Sequence, residues 1–248
     1  MPSPTADVTK VLAAMSSRYV ANHACPVWFG DRPDLLDPAS LNFATASLVS
    51  LDGRHLAVTC DHVVAAFFER RQSQSAAVFG IGGFSVDLDA TLVTSSKRLD
   101  LAVIDLSRYV AHGLLPPERF HQPAVWPTPP VGVGAFVFFG GFPGVWAEQP
   151  GIAHLRFNLL TAISEVHSTA DNHLVARVEL DKCETTGDPG AAFPDLGGLS
   201  GAPVFTWRRL HADLIGFVYE YQVALDLLFV RRSHVLDTSD PIALREPS

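Results

Sequence analysis

Short apolar runs alternate with turn signals over most of this chain, and that texture limits its fold more than any other feature. Runs rich in Val, Ile, Leu and Phe occupy Leu41 to Val64, Ala76 to Leu106 and Gly132 to Gly141, broken by Asp52-Gly53 and Gly82-Gly83. Runs of strand length bounded by dipeptides that accept positive φ predict antiparallel strands and hairpins. The same texture resumes in Leu155–Val166, Leu174–Leu180, Ala202–Trp207, Leu214–Tyr221 and Ala224–Val230, with Asp171-Asn172 as a hairpin tip. A helical period precedes them, where Thr5 is followed by Val8, Val11, Leu12, Met15 and Tyr19, apolar positions behind a capping residue. Between the strand-rich halves lies a connector carrying Pro116, Pro117, Pro123, Pro127, Pro129 and Pro130, which sustains neither helix nor central strand. The chain reads as all-β, two β units with a short N-terminal helix. It has no internal repeat of fixed period, which disfavours solenoids and propellers.

At 248 residues, 48% hydrophobic and 18% charged, the chain has ample material for a core. With 26 Asp+Glu against 18 Lys+Arg, its net charge is −8, and no basic run exceeds pairs such as Arg70-Arg71, Arg208-Arg209 and Arg231-Arg232. That balance argues against nucleic acid as a partner. No stretch reaches the ~18 apolar residues of a membrane span, and Asp7, Lys10 and Arg18 interrupt any secretory core near the start. The three cysteines, Cys25, Cys60 and Cys183, are too few and too odd for a disulfide framework and too dispersed for a zinc site. A soluble protein of the cytoplasm is expected, with no membrane partner. No His-x-x-x-His, Cys-x-x-Cys or complete phosphate-cradling glycine motif occurs, so neither a metal nor another cofactor is expected.

Three short segments could carry chemistry. Gly198-Leu199-Ser200-Gly201-Ala202-Pro203-Val204 sets a serine between glycines, after an irregular stretch from Glu184 to Leu199 and just before a strand. A nucleophilic serine needs an exposed hydroxyl and convergent backbone N–H groups, which glycines permit; the same pattern also occurs in plain turns. Serine needs a base, and His62 closes the run Leu56-Ala57-Val58-Thr59-Cys60-Asp61-His62, a strand ending at a cleft. A histidine there is often merely structural. The base in turn needs a carboxylate, and Asp100 opens the apolar run Asp100-Leu101-Ala102-Val103-Ile104. Buried without a partner, such a charge costs several kcal/mol, so Asp100 either pairs with an imidazole or faces water at a sheet edge.

Together these segments resemble the trypsin/chymotrypsin-like serine proteases, especially the bacterial trypsin-like peptidases. Thr59-Cys60-Asp61-His62 is similar to that family's Thr-Ala-Ala-His box, Asp100-Leu101-Ala102-Val103 to its Asp-Ile-Ala-Leu box, and Gly198 to Val204 to its Gly-Asp-Ser-Gly-Gly-Pro-Val box. Asn42–Ser50, Phe139-Gly140-Gly141-Phe142-Pro143 and Leu214-Ile215-Gly216-Phe217-Val218 extend the likeness, which covers about residues 38–236. The resemblance implies two antiparallel six-stranded β-barrels, the first about 38–115 and the second about 131–236 beyond the connector 116–130, with 1–37 as helix and lead-in. It implies a serine endopeptidase with His62, Asp100 and Ser200 catalytic, the N–H groups of Gly198 and Ser200 as oxyanion hole, and a protein or peptide substrate. Asp195 would stand near the specificity pocket, and Tyr219-Glu220-Tyr221 would pair with extended substrate.

The departures also carry meaning. Leu199 stands where an acid receives a freed N-terminus in zymogen-activated members, Ala202 replaces a glycine, and Asp61 is a second carboxylate beside His62. Two alternatives stay open: a latent or inactive peptide-binding module on the same fold, with an activating protein partner in the latent case, and an esterase using Ser200, Asp213 and His234.

Overall fold

The computed structural model describes residues 4–31, 40–74, 76–151, 154–179, 183–186, 197–209, 211–239 and 242–246. Seven strands form the first sheet: β1 Ala24–Asp31, β2 Asn42–Leu51, β3 Arg54–Thr59, β4 Ala77–Ile81, β5 Phe84–Ser85, β6 Leu92–Ser96 and β7 Leu101–Asp105. Their order is β5-β4-β1-β2-β3-β7-β6, all neighbours antiparallel. The second half supplies β8 Phe136–Gly141, β9 Ala147–Gly151, β10 His154–Phe157, β11 Leu160–Thr169, β12 His173–Arg177, β13 Glu184–Thr185, β14 Pro203–Arg208, β15 His211–Gln222 and β16 Leu227–Arg232. Here β12-β16-β15-β14-β8-β11 closes on itself through β11–β12, a six-stranded barrel with β13 appended to β11. The two-unit β architecture is therefore present, with the second unit closed and the first a curled half-barrel of seven strands. Each unit has its own apolar filling: Val27, Leu48, Phe79 and Ile104 in the first, Val137, Phe139, Val204 and Leu228 in the second. A third cluster, including Leu56, Leu101, Phe138, Phe205 and Phe217, joins them.

Three elements differ from the sequence reading. β1 lies between β2 and β4 in the middle of the first sheet, although its residues fall in the 1–37 lead-in. Its segment Ala-Cys-Pro-Val-Trp-Phe-Gly-Asp is buried nearly throughout, and a run without alternation gives no period-2 signal. His62 sits not on a strand end but in the first turn of a helix, α2 Asp61–Ser73, that follows β3. The N-terminal helix, α1 Pro4–His23, exists, yet of the apolar positions Val11, Leu12, Met15 and Tyr19 only Tyr19 is on its docked face. Ser16, Val20 and His23 are buried, whereas Val11, Leu12 and Met15 are exposed. The polar members of the docked face are satisfied: Trp207 Nε1 donates to Ser16 Oγ at 2.9 Å, and His23 Nδ1 bonds the Arg119 carbonyl at 3.0 Å. Burial of those groups is thus offset, and the helix bridges β8, β11 and the connector.

Candidate active site

The site forms where the two units meet. Cys60 keeps extended angles (φ −85°, ψ 148°) and offers no side-chain cap, so α2 begins with unsatisfied N–H groups. Asp100 supplies the missing acceptor from across the sheet. One carboxylate oxygen takes the His62 backbone N–H at 3.0 Å while the other bonds His62 Nδ1 at 2.8 Å. A single side chain thus caps a helix, where negative charge is favoured, and fixes the imidazole. Asp100 does this from the turn before β7 with φ +51°, a left-handed conformation that strains a residue with a Cβ. Burial pushes its carboxyl upward, but the two hydrogen bonds and the charges of His62 and Arg231 outweigh burial, leaving it below the ordinary carboxylate value. The competing acid, Asp61, is engaged by the hydroxyl of Ser95.

On the opposite wall, Ser200 stands between two glycines whose backbones admit no other residue. Gly198 has φ +108°, and a Cβ there would lie 2.5 Å from the Phe142 carbonyl oxygen. Gly201 has φ +89°, and its Cβ would lie 2.1 Å from the Thr45 carbonyl oxygen. The first unit grips this loop. Thr45 N–H donates to the Ser200 carbonyl at 3.0 Å, Thr45 Oγ1 to the Gly198 carbonyl at 2.7 Å, and Ser47 Oγ to the Gly201 carbonyl at 2.7 Å. The carbonyls of the two peptides that carry the Gly198 and Ser200 N–H groups are bonded by Gly144 N–H at 2.9 Å and Ala202 N–H at 2.8 Å, while those two N–H groups themselves donate to no group among the described residues. Among the described residues, the serine is thus flanked by two N–H groups with no partner, donors of the kind that an oxyanion would need.

Ser200 also lines a pocket of about 230 Å³ with Gly197, Leu199, Val218, Tyr219, Glu220, Tyr221 and Val223. β14 pairs with β15 only as far as Phe217, so beyond Val218 that edge of β15 carries no paired strand among the described residues. Tyr219, Glu220 and Tyr221 therefore stand beside the serine on an open strand edge. Asp195 lies outside the described residues. No hydrogen bond joins the Ser200 hydroxyl to His62, whose Nδ1 is held by Asp100. Cys60 is fully buried, its S–H reaches the Val218 carbonyl at 3.4 Å, and burial followed by the Asp100 charge pushes the thiol well up. An inert thiol results.

The esterase constellation does not assemble. Asp213 pairs with Arg208 at 2.7 Å, and His234 Nε2 bonds Asn172 Oδ1 at 3.2 Å. Ser200 is followed by a strand rather than the helix that such hydrolases place after their nucleophile.

Sequence reasoning passed over Thr45, Ser47 and Arg231. The first two had a signal: alternate polar residues, now 0% and 1% exposed, inside an otherwise apolar strand. Leu199, where zymogen-activated relatives carry an acid, is buried in the second barrel and holds the loop by packing.

Two β units with a histidine–aspartate pair on one and a glycine-flanked serine on the other define the chymotrypsin-like class of fold. Residues 44–211 match the model of the trypsin-like peptidase domain, and the chain belongs to that family. Among curated proteins, none matches. Solved structures similar to it include a thermostable serine protease, AL20, from an extremophilic microorganism, at 13% identity and a TM-score of 0.46, covering 86% of this chain and 92% of that one. Another comes from work on aromatic interactions in coupled folding and binding of the intrinsically disordered Sesbania mosaic virus VPg protein, at 14% identity and a TM-score of 0.45, covering 84% and 85%.

Proposed function

We propose that this chain is a serine endopeptidase. The observation that carries the reading is the pair of hydrogen bonds that His62 makes to the Asp100 carboxylate, opposite a glycine-flanked serine with two N–H groups unpartnered among the described residues. In the reaction, His62 takes the Ser200 proton as Oγ attacks the peptide carbonyl, and the N–H groups of Gly198 and Ser200 hold the oxyanion. The imidazolium then gives that proton to the leaving amine as the C–N bond breaks, leaving an acyl-enzyme. Water activated by His62 attacks the ester, releases the acid and restores Ser200. Asp100 stabilises the imidazolium and fixes its tautomer. The open edge at Tyr219-Glu220-Tyr221 suits an extended protein or peptide substrate by strand addition, with Asp195 assigned to the specificity pocket from its place in the sequence. A reducing, cytoplasmic setting accords with Cys25, Cys60 and Cys183 being free thiols.

A fluorophosphonate probe tests this. Intact mass spectrometry should show one adduct on the wild type and none on folded Ser200→Ala or His62→Ala. The missing hydrogen bond between Ser200 and His62 favours one second reading, a latent form that a protein partner or bound substrate activates by turning the serine hydroxyl to His62. A folded but unlabelled wild type that becomes labelled with peptide present would establish it. Absence of labelling in both conditions would leave a peptide-binding module.

A further inference from the structure

Arg231 lies on β16, in the second barrel, and plays no part in the mechanism above. It is half-buried and forms no ion pair among the described residues. Its Nε donates instead to the carbonyl of Leu99 at 2.9 Å, the peptide that leads into Asp100. Its guanidinium lies 4.4 Å above the centre of the Tyr219 ring, which lines the pocket beside Ser200. Leu99 is itself fully buried, so the hydrogen bond crosses between the units inside the protein.

Asp100 holds a left-handed conformation, one that aspartate adopts more readily than most residues with a Cβ, as Asp52 and Asp226 also do here, but that still benefits from being held. The bonds that His62 makes to Asp100 orient the carboxylate but do not fix the peptide before it. The β6–β7 pairing at Ser96 and Leu101 and the Leu99 N–H donated to Ser96 Oγ hold the turn from its own sheet, and the Leu99 carbonyl is the handle by which Arg231 holds it from the second barrel. A charge-assisted donor in a half-buried setting is stronger than a neutral one, and an aromatic face beneath the guanidinium restricts its movement.

We propose that Arg231 is a positioning residue: from the second barrel it holds the Leu99–Asp100 backbone in the conformation that aims the carboxylate at His62. Through Tyr219 it ties that geometry to the wall of the substrate pocket. The inference rests on His62 and Asp100 forming the working pair of the proposed peptidase, but its structural core does not require that Ser200 react.

The test uses the full chain with Arg231→Met, which keeps an apolar stem, and Arg231→Lys, which keeps a charged donor. Two measurements are made after circular dichroism confirms folding. One is the far-downfield proton resonance of a histidine Nδ1–H bonded to a carboxylate, assigned by its loss in His62→Ala. The other is the rate of fluorophosphonate labelling. Arg231→Met is expected to lose or broaden the resonance and to label on the order of tenfold or more slowly, since small displacements of a positioned group are costly. Arg231→Lys is expected to restore the resonance and most of the rate, a rescue that general loss of packing would not give. Should Arg231→Met not fold, Arg231→Gln, equally uncharged, is read in the same way. A folded, uncharged variant with the wild-type resonance and rate would overturn the proposal, as would Arg231→Lys failing as completely as Arg231→Met. A wild type that stays unlabelled with and without peptide, and whose resonance is still lost in Arg231→Met, would refute the peptidase reading and leave the positioning role standing.

Discussion

Asp100 meets three demands with one side chain, and each has a separate physical consequence. It satisfies an orphan N–H at the start of α2, fixes the His62 ring, and places negative charge where the proposed mechanism would form an imidazolium. Asp100→Asn keeps the size and one acceptor oxygen but removes the charge and allows the wrong tautomer of His62. Labelling by fluorophosphonate should fall by two orders of magnitude or more while the thermal midpoint moves little; equal rates for the two proteins would remove Asp100 from the mechanism. The same residue was only half legible in the sequence. An acid opening an apolar run announces a buried carboxylate that needs a partner, but whether Asp61 or Asp100 meets His62 depends on the pairing of β3 with β7. That register is long-range, and no local pattern encodes it. Arg231 was illegible for the same reason, since its partner, Leu99, lies 132 residues away.

Among the elements, α1 shows how an amphipathic pattern misleads when the docked face is rotated from the apolar stripe and shares only Tyr19 with it. The helix was predictable from its period, but its docking was not, because Tyr19, Val20 and His23 pack on a surface assembled from β8, β14 and the connector. Tyr19 Oη and His121 Nδ1 share a hydrogen bond of 2.8 Å, and Tyr19 stands edge-on to Phe205 at 5.1 Å. His121 in turn pins the connector to β2, its N–H reaching the Leu48 carbonyl at 2.9 Å and its carbonyl accepting from Ser50 at 2.8 Å. Tyr19→Phe keeps the ring packing and leaves the buried His121 nitrogen without its partner. The expected cost is about 1–3 kcal/mol, read as a lower urea midpoint at unchanged slope. A midpoint equal to wild type would mean that α1 docks by apolar contact alone.

For the whole molecule, the strand texture was enough to give two β units, because period and turn chemistry are local. What it did not give was closure of one unit and not the other, which depends on β11 meeting β12 and β8 at once. Stability should carry a signature of how the units and α1 are joined. Burial, reinforced by the nearby charge of His23, pushes His121 from its ordinary 6.5 down to about 3, and burial lowers His23 as well. The unfolded chain therefore binds protons below about pH 6.5 that the folded protein refuses, so stability is full above that value and falls as the pH drops toward about 3. Asp100, Asp105 and Asp237 are held below their ordinary 3.8, so they add to the loss only at the acid end of this range. The histidine contribution can thus be separated by its window. Urea unfolding between pH 7 and 4.5 should show a stability that declines on acidification, with His121→Gln, which cannot titrate, declining less steeply. A wild type whose stability is flat across that range would mean that the buried histidines do not resist protonation in the folded protein.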